Sequence, residues 1–193
     1  MTMRNIGVFM DRDGTISEEV GYINHLTRFQ VFPWSGKAVL ALNRNSLKAV
    51  VVTNQAGVAR GYFAEDLVVQ VHKKLREELA REGAQLDAIY YCPHHPSVGS
   101  EPYRQNCTCR KPKPGMLTRA VEDLGIDLSR SFMIGDRYSD IELAHNAGTR
   151  SILVLSGYGL GEFEYQRHHW TTQPDWVASN LLEATQIILN QSS

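Results

Sequence analysis

Cysteine is scarce in this 193-residue chain, and the three that occur, Cys92, Cys107 and Cys109, are crowded into one short segment. An odd number so placed argues against a disulfide framework and points to a metal instead. Long apolar runs are missing as well. No stretch approaches the ~20 residues that cross a bilayer, and no charged segment followed by an apolar one opens the chain. The expectation is a soluble, unprocessed cytoplasmic protein with no membrane partner. Neither sign of charge is in excess, with 20 Lys and Arg against 21 Asp and Glu, so no broad field favours nucleic acid. Repeats and low-complexity segments are also lacking. What remains is a chain that is 42% hydrophobic, enough to build a full core in one domain over residues 1–193.

The apolar pattern alternates between strand-length runs and helical stripes. Val8, Phe9 and Met10 form a short run that stops at Asp11 and Asp13, followed by Gly14. A helix over 36–45 precedes a buried strand over 47–52 that ends in Thr53, Asn54 and Gln55. Leu67, Val71, Leu75 and Leu79 repeat at i, i+4 along the next helix. Further strands are expected over 86–91, 131–134 and 151–155, a short edge strand at Trp176 and Val177, and helices over 116–124, 141–147 and 181–189. Gly125 and Gly148 stand where two of these helices should stop. Such alternation predicts an α/β fold with a doubly wound, mainly parallel sheet. Residues 16–33 and 156–170 read as loops, and no insertion is long enough for a large cap, which suits a compact monomer with an open site.

Ligands of such sheets bind beyond the carboxyl ends of the strands. Parallel strands would bring Asp11, Asp13, Thr53 and Asp136 to that edge, joined by Lys111. Taken singly, each has an ordinary explanation: an Asp-Gly turn, a strand-ending threonine, a solvated lysine, a helix cap. Together they make three carboxylates, one hydroxyl and one ammonium. Clustered carboxylates call for a hard cation such as Mg²⁺, and the hydroxyl and ammonium are then left to hold an anion. That set suits phosphoryl transfer from a monoester, with one carboxylate attacking in line and another serving the leaving oxygen.

The cysteines belong to a second set. Cys92-Pro93-His94-His95, then Cys107-Thr108-Cys109, offers three thiolates and an imidazole, a closed ligand set for structural Zn²⁺ in a loop over about 92–110. Spacing alone leaves His94 and His95 as competing ligands. Arg110 and Lys111 follow directly, so a fixed metal loop would also fix two cations at the crevice.

Asp11-Arg12-Asp13-Gly14-Thr15, Thr53, Lys111 and Gly135-Asp136-Arg137-Tyr138-Ser139-Asp140 resemble, in order, the four motifs of the haloacid dehalogenase superfamily. That resemblance implies a Rossmann-like fold, Asp11 as nucleophile forming an aspartyl-phosphate, and Asp13 as general acid and base. It implies Mg²⁺ held by Asp11, the backbone carbonyl of Asp13 and Asp136, with Thr53 and Lys111 on the phosphoryl group. Asp140 is expected to support the site or to start a helix. With the zinc loop included, the motifs are similar to two bacterial groups, the D-glycero-D-manno-heptose 1,7-bisphosphate phosphatases and the histidinol-phosphate phosphatases. The interval before the cysteine pair favours the first group, and the resemblance then favours His94 as the zinc ligand. It implies a sugar bisphosphate cleaved at carbon seven, in making the activated heptose of lipopolysaccharide core. Substrate contacts are expected from Glu19, Val20, Gly21 and Tyr22, from Thr53, Asn54, Gln55 and Ala56, and from Arg110, Lys111 and Arg137, with Arg60 nearby. The segment Gly157-Tyr158-Gly159-Leu160-Gly161 through Trp170 matches no pattern of the family and receives no role. A phospho-accepting receiver domain is the competing reading outside enzymes. It needs an acceptor Asp ending the third strand, where Tyr90-Tyr91-Cys92 stands.

Overall fold

The computed structural model describes residues 4–191. Six parallel strands form one sheet: β1 (Gly7–Met10), β2 (Lys48–Asn54), β3 (Ala88–Cys92), β4 (Phe132–Gly135), β5 (Arg150–Val154) and β6 (Trp176–Ala178). Their spatial order is β3-β2-β1-β4-β5-β6. The helices are α1 (Ser35–Arg44), α2 (Glu65–Arg81), α3 (Gly115–Leu124), α4 (Tyr138–Ala147), α5 (Gly159–Tyr165) and α6 (Leu181–Gln191).

Strand side chains alternate between two cores. Val8 and Met10 join the cluster under α1, α2 and α6, while Phe9 faces the other side with Met133 of β4, Leu117 of α3 and Leu143 of α4. Every residue of β1 is buried, which is why its run reads as continuously apolar. The α2 stripe is buried at Val71, Leu75 and Leu79, each worth about 1.5–3 kcal/mol once removed from water. Gly125 and Gly148 end α3 and α4 in the left-handed conformation, at φ of 61° and 72°.

Chain direction across the sheet reverses at β1, whose neighbours are β2 and β4. Met10 is in register with both Val51 and Ile134, so the residues that follow all three strands emerge at one edge. This is the switch-point crevice expected of an open α/β sheet.

The segment between β1 and α1 is an ordered loop. Arg12 O accepts from the N–H groups of Ile16 and Ser17, and the Arg28 guanidinium donates to Val20 O and Tyr22 O. The 156–170 segment departs from expectation. It holds α5 and a 3-10 turn at Arg167–His169 where an irregular loop was read. With two glycines among its seven residues and no apolar period, α5 gives no helical signal of its own. Its position follows from packing, since a Cβ on Gly159 would stand 1.8 Å from Val154 O.

Candidate active site

At the switch point a cavity of about 380 Å³ is lined by Asp11, Asp13, Thr53 and Lys111 on its floor, with Glu19, Tyr22, Arg110, Arg137 and Tyr158 among the residues of its walls. Asp11 follows β1, and its N–H continues the ladder to Ile134 O at 2.9 Å. Its Oδ1 accepts from Arg12 N at 2.7 Å, which turns Oδ2 toward Lys111 Nζ, 2.9 Å away. Lys111 Nζ also lies 2.7 Å from Asp140 Oδ1. Two bonds with Asn54 tie the Lys111 backbone to the end of β2, N–H to Asn54 Oδ1 at 3.0 Å and carbonyl from Asn54 Nδ2 at 3.3 Å.

Asp11, Asp136 and Asp140 form the carboxylate cluster, each able to offer an oxygen within 4.8 Å of the others. The sequence reading grouped the Asp13 carboxylate with Asp11 and Asp136; Asp140 takes that place. The Asp13 carboxylate is engaged elsewhere, by the fork of buried Arg12 at 2.7 and 3.0 Å and by Gln55 Nε2 at 2.9 Å. Gln55 Nε2 also donates to Thr53 Oγ1 at 2.9 Å, linking the two side chains. The expected metal contact of Asp13 was its backbone carbonyl, to which this side-chain network is no obstacle. Asp140 meets both expectations for it, since it supports Lys111 and its Oδ2 accepts from Arg137 N at the start of α4.

Electrostatics suit a divalent cation here. Burial raises the Asp11 pKa to about 6 against the opposing pull of Lys111. Burial, then Asp11 and Asp140, push Asp136 well above the carboxylate range. Burial would lower the Lys111 pKa, but the two carboxylates outweigh it and hold the ammonium above its ordinary value. Ionising all three carboxylates against the one ammonium would leave an excess of negative charge in a site where all four residues are buried, which a bound divalent cation would offset. Asp136 Oδ1 is buried without a hydrogen-bond partner among the described residues, while Oδ2 accepts from Tyr158 N at 2.9 Å. An acidic set with an orphaned carboxylate oxygen fits Mg²⁺.

The cysteine loop closes on a second set of ligand atoms. Cys107 Sγ lies 3.5 Å from Cys92 Sγ and 3.4 Å from Cys109 Sγ. His94 Nδ1 lies 3.7 and 3.4 Å from the sulfurs of Cys92 and Cys109. With Zn–S near 2.3 Å, the edges of a tetrahedral site are about 3.5–3.8 Å, so the cluster has the size of a four-ligand zinc site and is far too open for disulfides. The histidine ambiguity resolves in favour of His94. His95 turns away, with Nδ1 accepting from the N–H groups of Ser97 and Val98 and Nε2 against Arg60.

A family profile described as HAD-hydrolase-like matches residues 108–184. A D-glycero-beta-D-manno-heptose-1,7-bisphosphate 7-phosphatase of Photorhabdus laumondii is 44% identical over 159 residues, 81% of this chain and 84% of that protein. The D-glycero-D-manno-heptose-1,7-bisphosphate 7-phosphatase of Thermosynechococcus vestitus is 43% identical over 185 residues, 94% of both chains. The chain belongs to the heptose-bisphosphate phosphatase family of HAD-like hydrolases. A solved D,D-heptose 1,7-bisphosphate phosphatase from B. bronchiseptica, complexed with magnesium and phosphate, superposes with a TM-score of 0.85 at 28% identity, covering 96% of this chain and 99% of that one.

Of the expected substrate contacts, Glu19, Gly21, Tyr22, Thr53, Asn54, Gln55, Ala56, Arg110, Lys111 and Arg137 line the cavity, and two expected residues do not. Val20 packs against the core and only its carbonyl is used, by Arg28. Arg60 faces His95 and does not line the cavity. Sequence reasoning missed Tyr158, whose N–H fixes Asp136 and whose ring lies 3.8 Å from the Arg137 guanidinium. The signal was Gly157, held at a φ of +58°, where a Cβ would meet Asp136 Oδ2 at 2.3 Å and Gly14 Cα at 2.5 Å.

Proposed function

We propose that this protein hydrolyses the carbon-seven phosphate of D-glycero-D-manno-heptose 1,7-bisphosphate, a step toward the activated heptose of lipopolysaccharide core. One observation supports this most: a phosphoryl-transfer set on the floor of a cleft that also carries two arginines. Arg110 and Arg137 come from segments that leave the sheet on either side of β1, so a substrate with a second phosphate meets cations beyond the reacting centre.

In this reading a carboxylate oxygen of Asp11 attacks the phosphorus in line, forming an aspartyl-phosphate as the bond to the sugar oxygen breaks. Asp13 gives that oxygen its proton, then takes one from the water that hydrolyses the aspartyl-phosphate. Lys111 and Thr53 hold phosphoryl oxygens through the transfer. Asp11, Asp136 and the Asp13 carbonyl are the residues proposed to hold Mg²⁺, which when bound supplies positive charge to the phosphoryl oxygens. Cys92, His94, Cys107 and Cys109 are proposed to hold structural Zn²⁺. The metal would brace the loop that delivers Arg110, whose guanidinium donates to His94 O at 3.3 Å.

Histidinol phosphate is the competing substrate. It carries an ammonium where the bisphosphate carries an anion, and the arginines disfavour it. Measuring kcat/KM on both anomers of the heptose bisphosphate and on histidinol phosphate tests the reading. A preference of about 10²-fold or more for the bisphosphate is expected. Equal values would overturn the substrate assignment.

A further inference from the structure

We propose that Tyr158 is a positioning residue that selects substrates bearing a second anionic group, because its ring carries the Arg137 guanidinium at the rim of the cleft; this rests on reading the cleft as a sugar-bisphosphate site. Arg137 is exposed enough to need such a support. Its side chain is 44% accessible, and its guanidinium carbon lies 3.8 Å from the Tyr158 ring centroid. Of the carboxylates near Arg137, Glu19 acts on it through charge and Glu162 Oε1 lies 3.9 Å from its Nη1. That carboxylate is already committed, since its Oε2 accepts from Tyr138 N at 2.6 Å.

The ring stands on fixed backbone. Tyr158 N donates to Asp136 Oδ2 at 2.9 Å, and Ser156 Oγ donates to Gly14 O at 2.6 Å. Gly157 and Gly159 pack so closely that added Cβ atoms would stand 2.5 Å from Gly14 Cα and 1.8 Å from Val154 O. A free arginine side chain loses rotamer freedom when it is frozen onto an anion. Resting on a ring that is itself anchored, Arg137 is partly ordered before the substrate arrives.

Packing alone does not account for the residue. Tyr158 is 42% exposed, and its hydroxyl makes no hydrogen bond among the described residues. The ring therefore serves its neighbour more than the core. The glycine-rich stretch that matched no family pattern thus acquires a role: it holds the metal-site carboxylate with its backbone and the rim cation with its side chain.

The test is a mutant cycle of Tyr158→Leu, Tyr158→Phe and Arg137→Ala, with melting temperatures recorded to confirm folding. Each protein is assayed on heptose 1,7-bisphosphate, fructose 1,6-bisphosphate and p-nitrophenyl phosphate, which lacks a second anion. The readout is the ratio of kcat/KM on the preferred bisphosphate to kcat/KM on p-nitrophenyl phosphate. Tyr158→Leu should lower that ratio about fivefold, through a higher KM for the bisphosphate, while Tyr158→Phe keeps it. In the Arg137→Ala background, Tyr158→Leu should lower it no further. An unchanged ratio in Tyr158→Leu, or a full additional loss in the double variant, would overturn the proposal. So would a wild-type protein that does not discriminate between substrates with and without a second phosphate. A wild-type preference for fructose 1,6-bisphosphate over the heptose would instead refute the substrate assignment and leave the role of Tyr158 to the cycle.

Discussion

The Lys111 ammonium and the Asp11 carboxylate meet 2.9 Å apart at the carboxyl end of β1, the one delivered by the cysteine loop and the other by the strand. Asp140, 2.7 Å from the same ammonium on its other side, keeps Lys111 in place and charged. Asp11, the cation beside it and the carboxylate that supports that cation thus come from three separate segments that only the folded sheet brings together.

Lys111→Met removes the donor proposed to hold the phosphoryl oxygens. Activity on p-nitrophenyl phosphate should fall about 10²–10³-fold in kcat, the scale of losing one preorganised electrostatic contact. Asp140→Asn leaves the ammonium one partner and should cost less. A Lys111→Met loss below tenfold would remove this residue from the transfer step.

Gly157→Ala places a methyl against Asp136 Oδ2 in a backbone conformation that alanine resists. Activity should drop at least about tenfold, with a higher Mg²⁺ concentration needed for half-maximal rate. Gly161→Ala is the control, since its Cβ meets nothing within 4 Å. Equal behaviour of the two variants would show that the close approach at Gly157 does not govern the metal site.

His72 makes stability depend on pH. Burial, then the neighbouring Arg12, lowers its pKa from 6.5 to about 3, and its Nε2 lies 3.2 Å from Arg12 Nη1 as an acceptor. The unfolded chain binds this proton below pH 6.5 and the folded chain does not, so stability falls as pH drops through 6.5 toward 3. Between pH 7.5 and 5 that loss is about 2 kcal/mol. Urea midpoints at the two pH values should move apart less in His72→Gln than in wild type. Identical pH dependence would mean that the folded protein protonates His72 readily.

Much of this was legible in the sequence because strand ends are chemically abrupt. A buried strand such as Val8-Phe9-Met10 tolerates only apolar residues, so the polar residue after it is conspicuous, and the switch-point rule converts several such endings into one site. Legibility failed where geometry depends on partners distant in sequence. The spacing of Cys92, Cys107 and Cys109 could not choose between adjacent histidines, because either lies within reach until the strand fixes the direction of the chain. The Asp13 carboxylate lines the same cavity as Asp11, but its pairing was not legible because it depends on Gln55, 42 residues away, together with the fork of Arg12 beside it. The α5 segment was read as a loop because glycine at a close approach mimics glycine in a flexible one.

Zinc removal offers a separate check. Purified protein should contain about one zinc per chain, and Cys107→Ser should contain little. Stripping the metal with a strong chelator should lower the melting temperature and raise KM for the bisphosphate, because Arg110 leaves the metal loop directly. A metal-free protein with unchanged stability and KM would contradict a bracing role for the loop.

The most direct measurement follows phosphorus by NMR as the purified protein with Mg²⁺ consumes heptose 1,7-bisphosphate, beside Asp11→Asn. The carbon-seven ester signal should be replaced by inorganic phosphate while the carbon-one signal persists, and the variant should leave both unchanged. Loss of the carbon-one phosphate, no turnover by wild type, or turnover by Asp11→Asn would contradict the proposed reaction.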